Sequence, residues 1–292
     1  MTSAKPLISV LMNCHNGEKY LKESVQSILN QSYVNFEIIF FDNLSTDNSA
    51  LIFKNFIDKR LKYYKSDIKL TLSEARIEAW KYINGEYVAI LDTDDIAMPE
   101  RLFLQINQFI LDDKLSVLGG KCEIINDTGK LILNTNFDTE SLKLSYQLYY
   151  SFPFNNATLM FRKKCVDAIG GYQSEYTMIN DYVLIYKLSK NYRVANIKNC
   201  ISKNRIHSKN LTKTNHIINM IEQYTFLKKI KNEIKEKYII KNNTIYTSRY
   251  FIKILQFYLF RADLKNLLVH IKDIKIDYLI YFLLKVDKKN EY

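Results

Sequence analysis

The sequence predicts an α/β fold: a mixed, mainly parallel sheet sandwiched by helices, followed by a helical extension at the C-terminus. Three observations carry that expectation. Short, near-continuous apolar runs at 7–12, 36–41 and 87–91 alternate with segments of helical spacing. Downstream, the pattern changes to hairpin-like runs around turn residues. Beyond about His216, glycine and proline vanish and apolar residues recur at helical spacing among lysines.

Each element has its own signal. The run Leu-Ile-Ser-Val-Leu-Met at 7–12 reads as a buried strand, followed by a polar turn at 13–17 and a helix carrying Leu21, Val25, Ile28 and Leu29. A second strand, 36–41, is closed by Asp42-Asn43-Leu44-Ser45-Thr46-Asp47, with Asp47 placed to cap a helix through Phe56. Residues 61–64 read as a third, shorter strand, 72–83 as a helix stopped at Asn84-Gly85, and 87–91 as a fourth strand. Apolar strands alternating with helices imply a parallel sheet covered on both faces. Pro99 opens a helix with Leu102, Ile106, Phe109 and Ile110 on one face. Residues 117–125 and 131–133 flank the turn Asn126-Asp127-Thr128-Gly129 as an antiparallel hairpin, and 157–161 reads as a further strand before Gly170-Gly171. The expected division is an α/β domain at 1–215 and a basic, aromatic-rich helical extension at 216–292.

Composition narrows the function classes. A chain of 292 residues accommodates one domain of roughly 200 to 250 residues plus an appendage. The four cysteines, Cys14, Cys122, Cys165 and Cys200, form no C-x-x-C pair, which argues against a zinc knuckle or a dense disulfide framework and for a reducing compartment. No apolar signal core precedes the first strand, and no stretch of ~18 uncharged apolar residues occurs, so a cytoplasmic location is expected. The formal charge of +11 is concentrated late: from His216 onward there are 15 Lys and Arg against 8 Asp and Glu. Such a balance suits a membrane surface, a nucleotide or nucleic acid, although an A+T-rich genome explains the Lys, Asn, Ile and Tyr content equally well. No nucleic-acid motif supports a nucleic-acid partner.

The most informative feature is Asp92-Thr93-Asp94-Asp95, directly after the fourth strand. Open α/β sheets bind ligands at the carboxyl ends of their strands. Three acids in four residues repel one another and are costly to desolvate, so a site that gathers them holds a divalent cation or sugar hydroxyls. Asp42 and Asp92, at two strand ends, would lie close across a switch in strand order. Turn formation and helix capping account for Asp42 equally well, but capping needs one acid and not three.

Together these segments resemble the family 2 glycosyltransferases, with the Rossmann-like GT-A type fold of nucleotide-diphospho-sugar transferases, over residues 8–211. Ile8-Ser9-Val10-Leu11-Met12-Asn13-Cys14-His15-Asn16 looks like the family's opening strand and nucleotide-binding turn, and Phe41-Asp42-Asn43-Leu44-Ser45-Thr46-Asp47 like its V-D-D-G-S-T-D segment. Leu91-Asp92-Thr93-Asp94-Asp95 with Pro99-Glu100-Arg101-Leu102 is similar to its L-D-S-D-D…P-x-R-L signature. Asn156 to Arg162, Ile169-Gly170-Gly171-Tyr172 and Asn180-Asp181-Tyr182 look like the acceptor-side segment ending in a Glu-Asp pair. Asn43 and Asn180 depart from the family's acids.

The resemblance implies roles. Asp181 falls on the general base; Asn13, His15, Asp42, Arg76 and Asp92 on the nucleotide-sugar side; Asp94 on a ligand of Mn²⁺ or Mg²⁺. His207, in Arg205-Ile206-His207, resembles a late histidine that closes over the metal or diphosphate, and an ordinary surface or core histidine explains it equally well. The implied reaction moves a sugar, with inversion, from a nucleoside-diphosphate donor, UDP-linked by family habit, to a saccharide or lipid-linked acceptor in bacterial surface-glycan assembly such as lipopolysaccharide or capsule. The processive Q-x-x-R-W signature is missing, the lone tryptophan being Trp80. An aspartyl-phosphate phosphohydrolase shares the strand-D-x-D pattern, and a non-catalytic nucleotide or glycan binder fits Asn43 and Asn180. In the extension, Tyr250, Phe251, Ile254, Leu255, Tyr258 and Leu259 beside Arg249, Lys253 and Arg261 form a basic amphipathic stripe. It suits either packing on the domain or peripheral contact of 246–292 with anionic membrane on the cytoplasmic face.

Overall fold

The computed structural model describes residues 5–149 and 151–238. The chain divides into two units, Met1–Leu148 with Phe152–Thr214, and Tyr149–Ser151 with Asn215–Tyr292.

The first unit begins with β1 (Ile8–Cys14), α1 (Glu18–Leu29), β2 (Phe36–Asp42), α2 (Ser49–Lys54), β3 (Leu61–Lys65), α3 (Leu72–Trp80) and β4 (Tyr87–Ile90). Every residue of β2 and β4 is buried, as uninterrupted apolar runs require of strands covered on both faces. β2 and β4 both pair in parallel with β1, and β3 pairs in parallel with β2. Strand order therefore reverses at β1, and the carboxyl tips of β1, β2 and β4 meet along one edge, the place where such sheets bind ligands.

The second half supplies β5 (Ile96–Ala97), α4 (Arg101–Leu111), β6 (Leu115–Ile125), β7 (Leu131–Asn134), α5 (Ser141–Gln147), β8 (Met160–Arg162), α6 (Lys163–Ala168), α7 (Asn180–Asn191), β9 (Arg193–Arg205) and α8 (Leu211–Thr214). The sheet runs β3-β2-β1-β4-β8-β6-β9-β5, with β7 hairpinned onto β6. β8 is antiparallel to β4 and β6, and β9 is parallel to β6, so the sheet is mixed as expected. Pairing of Ile96 with Lys203 and Ala97 with Ser202 delivers the end of β9 to the acid turn that follows β4.

Several local expectations are corrected. The helix after β2 spans only Ser49–Lys54 with Asn48 at its N-cap. Asp47, one residue earlier, accepts from the backbone of both Ser49 (2.9 Å) and Glu18 (3.0 Å), so its carboxylate serves the starts of two helices. α3 ends at Trp80, three residues short of the expected stop, and opens on a capping box between Thr71 and Glu74. On α4, Ile110 is 61% exposed while Arg101 and Gln105 are buried, because Ile90 of β4 and Leu118 of β6 offer carbonyls to those side chains. Residues 156–158 form a 3₁₀ turn, and the strand begins only at Met160.

In the second unit, α9 (His216–Tyr238) buries Phe226, Leu227 and Ile230. Among the described residues no helix is long and apolar enough to cross a membrane. The amphipathic stripe at 249–261 and the lysines near 285–289 lie outside the described residues.

A buried polar chain fixes how β4 starts beside β1. Ser9 Oγ donates to Glu37 (2.6 Å) and accepts from the Gly85 N–H (2.8 Å). A Cβ on Gly85 would stand 2.5 Å from Ser9 N and 2.9 Å from Leu7 O, backbone atoms that cannot yield. Gly85→Ala is expected to destabilise the domain by about 1–3 kcal/mol, as overpacking does, measured by urea unfolding; an unchanged midpoint would show that no such close approach exists.

Candidate active site

The acid turn is built by its backbone. The Asp95 N–H donates to the Asp92 carbonyl (3.2 Å), which also accepts from Ser24 Oγ of α1 (3.1 Å). A Cβ on Gly17 would lie 2.8 Å from Thr93 Oγ1 and 3.1 Å from Cys14 Sγ, so the turn after β1 rests directly on the turn after β4. Burial pushes the Asp92 carboxyl up to about 6, with Arg76 opposing and Asp94 and Asp181 adding to the rise. Burial, then Asp94 and Asp92, push the Asp95 carboxyl well above the usual range. Asp95 faces inward, accepting from Asn204 Nδ2 (3.0 and 2.9 Å) and the Arg205 N–H (2.8 Å).

Asp94 points the other way. Its Oδ2 accepts from His207 Nε2 (2.9 Å) and Asn210 Nδ2 (3.0 Å). The Lys209 N–H donates to His207 Nδ1 (3.2 Å), which assigns the ring proton to Nε2 and makes the imidazole the donor to Asp94. Arg205 anchors this corner: Nε donates to the Asp94 carbonyl (3.0 Å) and Nη2 pairs with Glu23 (2.6 Å).

Asp181 occupies the first turn of α7. The N-cap is Ile179, so Asp181 does not cap the helix; its carboxylate turns toward α3 instead. One oxygen forms a buried ion pair with Arg76 Nη1 and the other accepts from the Tyr172 hydroxyl (2.8 Å). The two charged side chains are 2% and 5% exposed. Arg76 Nη1 also donates to Asn180 Oδ1 (2.7 Å), and Asn180 Nδ2 donates to Ser73 Oγ (2.9 Å). Burial alone would lower the Arg76 pKa, but Asp181, Tyr172 and Asp92 outweigh it and hold the guanidinium firmly charged. Burial and Asp181 together push the Tyr172 hydroxyl well up.

The remaining residues expected on the nucleotide side spend their polar atoms on other partners. Asp42 is fully buried, accepting from Tyr63 OH (2.7 Å) and the Ser45 N–H (2.8 Å). Burial, then Asp42, raise the Tyr63 hydroxyl strongly. Asn43 spends its amide on the Leu70 backbone, donating to the carbonyl and accepting from the N–H at 2.9 Å each. An aspartate could not make the first of these bonds. Asn13 donates to the Ala75 carbonyl (3.0 Å), and exposed His15 makes a 3.0 Å hydrogen bond from Nδ1 to the Asn43 carbonyl.

The structure thus joins Asp94 to His207 and Asp181 to Arg76, sets Asp92 in the electrostatic field of Arg76, Asp94 and Asp181, and seats Asp42 in its own buried network. Sequence reasoning counted Asp95 among the three acids of the turn but gave no separate role to it, to Tyr172 or to Arg205. Tyr172 and Arg205 stood inside quoted segments, but their partners are distant in sequence and left no local signal. Among the described residues no three His, Cys, Asp or Glu side chains converge as a metal cage.

Arg76→Met would leave the Asp181 carboxylate buried without its cation. The expected cost is about 3–5 kcal/mol of stability in denaturant unfolding, the usual result of breaking one side of a buried pair; a loss under about 1 kcal/mol, typical of an exposed pair, would show that the pair is solvated.

Residues 9–172 match the family model for glycosyl transferase family 2. The O-antigen biosynthesis glycosyltransferase WbnJ of Escherichia coli is 31% identical over 218 residues, 71% of this chain and 83% of that protein. WfgD of Escherichia coli, a UDP-Glc:alpha-D-GlcNAc-diphosphoundecaprenol beta-1,3-glucosyltransferase, is 35% identical over 121 residues, covering 41% of this chain and only 47% of WfgD. Mannosyltransferase PcManGT from Pyrobaculum calidifontis, solved with GDP-Man and Mn²⁺, superposes with a TM-score of 0.61 at 13% identity, covering 97% of this chain and 85% of that one, a likeness of fold. With the switch in strand order, the acid turn and more than half the chain matched, this protein belongs to glycosyl transferase family 2 and has the Rossmann-like GT-A fold.

Proposed function

We propose that the protein is an inverting, metal-dependent glycosyltransferase that moves a sugar from a UDP-sugar to a saccharide or lipid-linked acceptor in bacterial surface-glycan assembly. The observation that carries the reading is the meeting of Asp94 Oδ2 and His207 Nε2 at 2.9 Å on the carboxyl edge of the sheet. One carboxylate and one imidazole would hold Mn²⁺ or Mg²⁺ whose other ligands are diphosphate oxygens and water, provided the ring proton moves from Nε2 to Nδ1 and the Lys209 N–H turns away from it. When bound, the cation would stabilise charge building on the departing diphosphate. The UDP-Glc in the name of WfgD supports a UDP-linked donor, and the GDP-Man and Mn²⁺ with PcManGT support a nucleoside-diphosphate sugar held with metal.

The chain's own residues supply the rest. Asp92 faces the ribose hydroxyls or reaches the cation through water. Asp42 acts by fixing the turn after β2, and Asn13 by tying the tip of β1 to α3. His15, donating through Nδ1 to a carbonyl, keeps Nε2 as an acceptor for the nucleotide. Arg76, committed to Asp181, holds that carboxylate in place rather than touching the diphosphate. The acceptor hydroxyl takes the place of Tyr172 at Asp181, yields its proton there, and attacks the anomeric carbon opposite the diphosphate, which inverts it. Family membership removes the ground for the aspartyl-phosphate alternative. The peripheral membrane contact through 246–292, at the cytoplasmic face, belongs to the same proposal.

Asp181→Asn is expected to lower transfer by roughly 10²–10⁴ while UDP-sugar binding persists; undiminished turnover would remove Asp181 from the role. Thermal-shift screening of nucleotide sugars with Mn²⁺ and with EDTA should find a UDP-sugar that stabilises only with metal. Stabilisation equal in EDTA contradicts the metal role, and donor binding without transfer or hydrolysis identifies a binder. Intact protein should float with anionic vesicles and not with neutral ones; failure to float favours packing of the stripe.

A further inference from the structure

A ring in the first turn of α1 joins three segments that are distant in sequence. Tyr20 is half-buried, and its centroid lies 5.2 Å from that of His207 with the planes inclined at 35°. The Arg205 guanidinium lies 4.5 Å from the same ring. The Tyr20 hydroxyl donates to Asp127 in the β6–β7 turn, where Lys19 also pairs at 2.7 Å. Arg205 reaches that turn as well, through longer 3.4 Å bonds to the Asn126 and Asp127 carbonyls.

An imidazole binds a cation only when its ring plane aims the nitrogen lone pair at the ion. Metal-bound histidines are usually oriented by a hydrogen bond from the second ring nitrogen to a carboxylate or carbonyl, and loss of such outer contacts costs about 10–100-fold in affinity. His207 has no such acceptor at Nδ1, which instead meets the Lys209 N–H at 3.2 Å. Beside the hydrogen bonds at its two nitrogens, the contact the structure gives the face of the ring is Tyr20, which packs against it. We propose that Tyr20 is a positioning residue of the cation site. Its ring fixes the plane of His207 against Asp94, and its hydroxyl couples that plane to the β6–β7 turn. The proposal rests on the metal-dependent reading above.

The test is Mn²⁺ binding by the full chain in the presence of UDP, followed by the electron paramagnetic resonance signal of free Mn²⁺, with thermal midpoints measured in parallel. His207→Ala should weaken Mn²⁺ binding. Tyr20→Leu, which keeps bulk but not the ring, should weaken it by about 10-fold or more, with an unchanged midpoint. Tyr20→Phe should recover most of that loss. If His207→Ala weakens binding and Tyr20→Leu does not, the positioning role is overturned and the metal reading stands. If His207→Ala leaves binding intact, the metal reading fails and takes this proposal with it. If Tyr20→Leu and Tyr20→Phe lose Mn²⁺ equally and only in step with a lowered midpoint, Tyr20 is a structural brace and the proposal is overturned.

Discussion

The constraint on which the structure depends is the desolvation of carboxylates gathered at one edge of the sheet. Asp92, Asp95 and Asp181 are removed in large part from water, and an ion buried without compensation costs several kcal/mol, of the order of the whole stability of a domain. Three arginines are buried with them. Arg76 takes Asp181 directly. Arg205 donates to the Asp94 carbonyl, while its own backbone N–H goes to Asp95. Arg101, fully buried, donates through Nη2 to the Ile90 and Leu159 carbonyls. Burial lowers its pKa to about 10, with Asp95 and Asp92 raising it in return. The guanidinium suits this position because it keeps its charge when dry and presents several donors in a fixed plane.

That balance explains the irregular half of the fold. The parallel half, β3-β2-β1-β4, is enough to place Asp42 and the acid turn. It does not supply the partners of Asp94 and Asp95. Strand β9 does so: its thirteen residues run beside β6, pair antiparallel with β5, and lead Asn204, Arg205 and, two residues beyond its end, His207 to Asp94 and Asp95. Helices α3 and α7 complete the arrangement from another side, bringing Arg76 to Asp181. The acids and their compensation thus come from separate stretches of chain, and the site can form only when the whole domain has.

This is also why the sequence was legible in part. The strands of the parallel half were readable because burial on both faces leaves continuous apolar runs, and the acid turn because three carboxylates have no ordinary use together. Interactions made across long separations left no such trace. Nothing near Asp95 announces Asn204, and nothing near Asp181 announces Arg76 or Tyr172. The same limit applies to Asn43: in the sequence it is only a departure from the family's aspartate, whereas its amide makes two bonds to Leu70 that need both a donor and an acceptor. Ile110 is misplaced by periodicity, which weighs apolar character alone, whereas α4 turns Arg101 and Gln105 inward to meet the Leu159 and Thr158 carbonyls just before β8.

The central claim is that Asp94 and His207 share a divalent cation with the donor diphosphate. Anomalous diffraction from crystals grown with UDP and Mn²⁺ tests it most directly. The account predicts a manganese peak at coordination distance from an Asp94 carboxylate oxygen and from His207 Nε2, with the direct Asp94–His207 hydrogen bond broken. UDP bound with that hydrogen bond intact and no manganese at either side chain would contradict it.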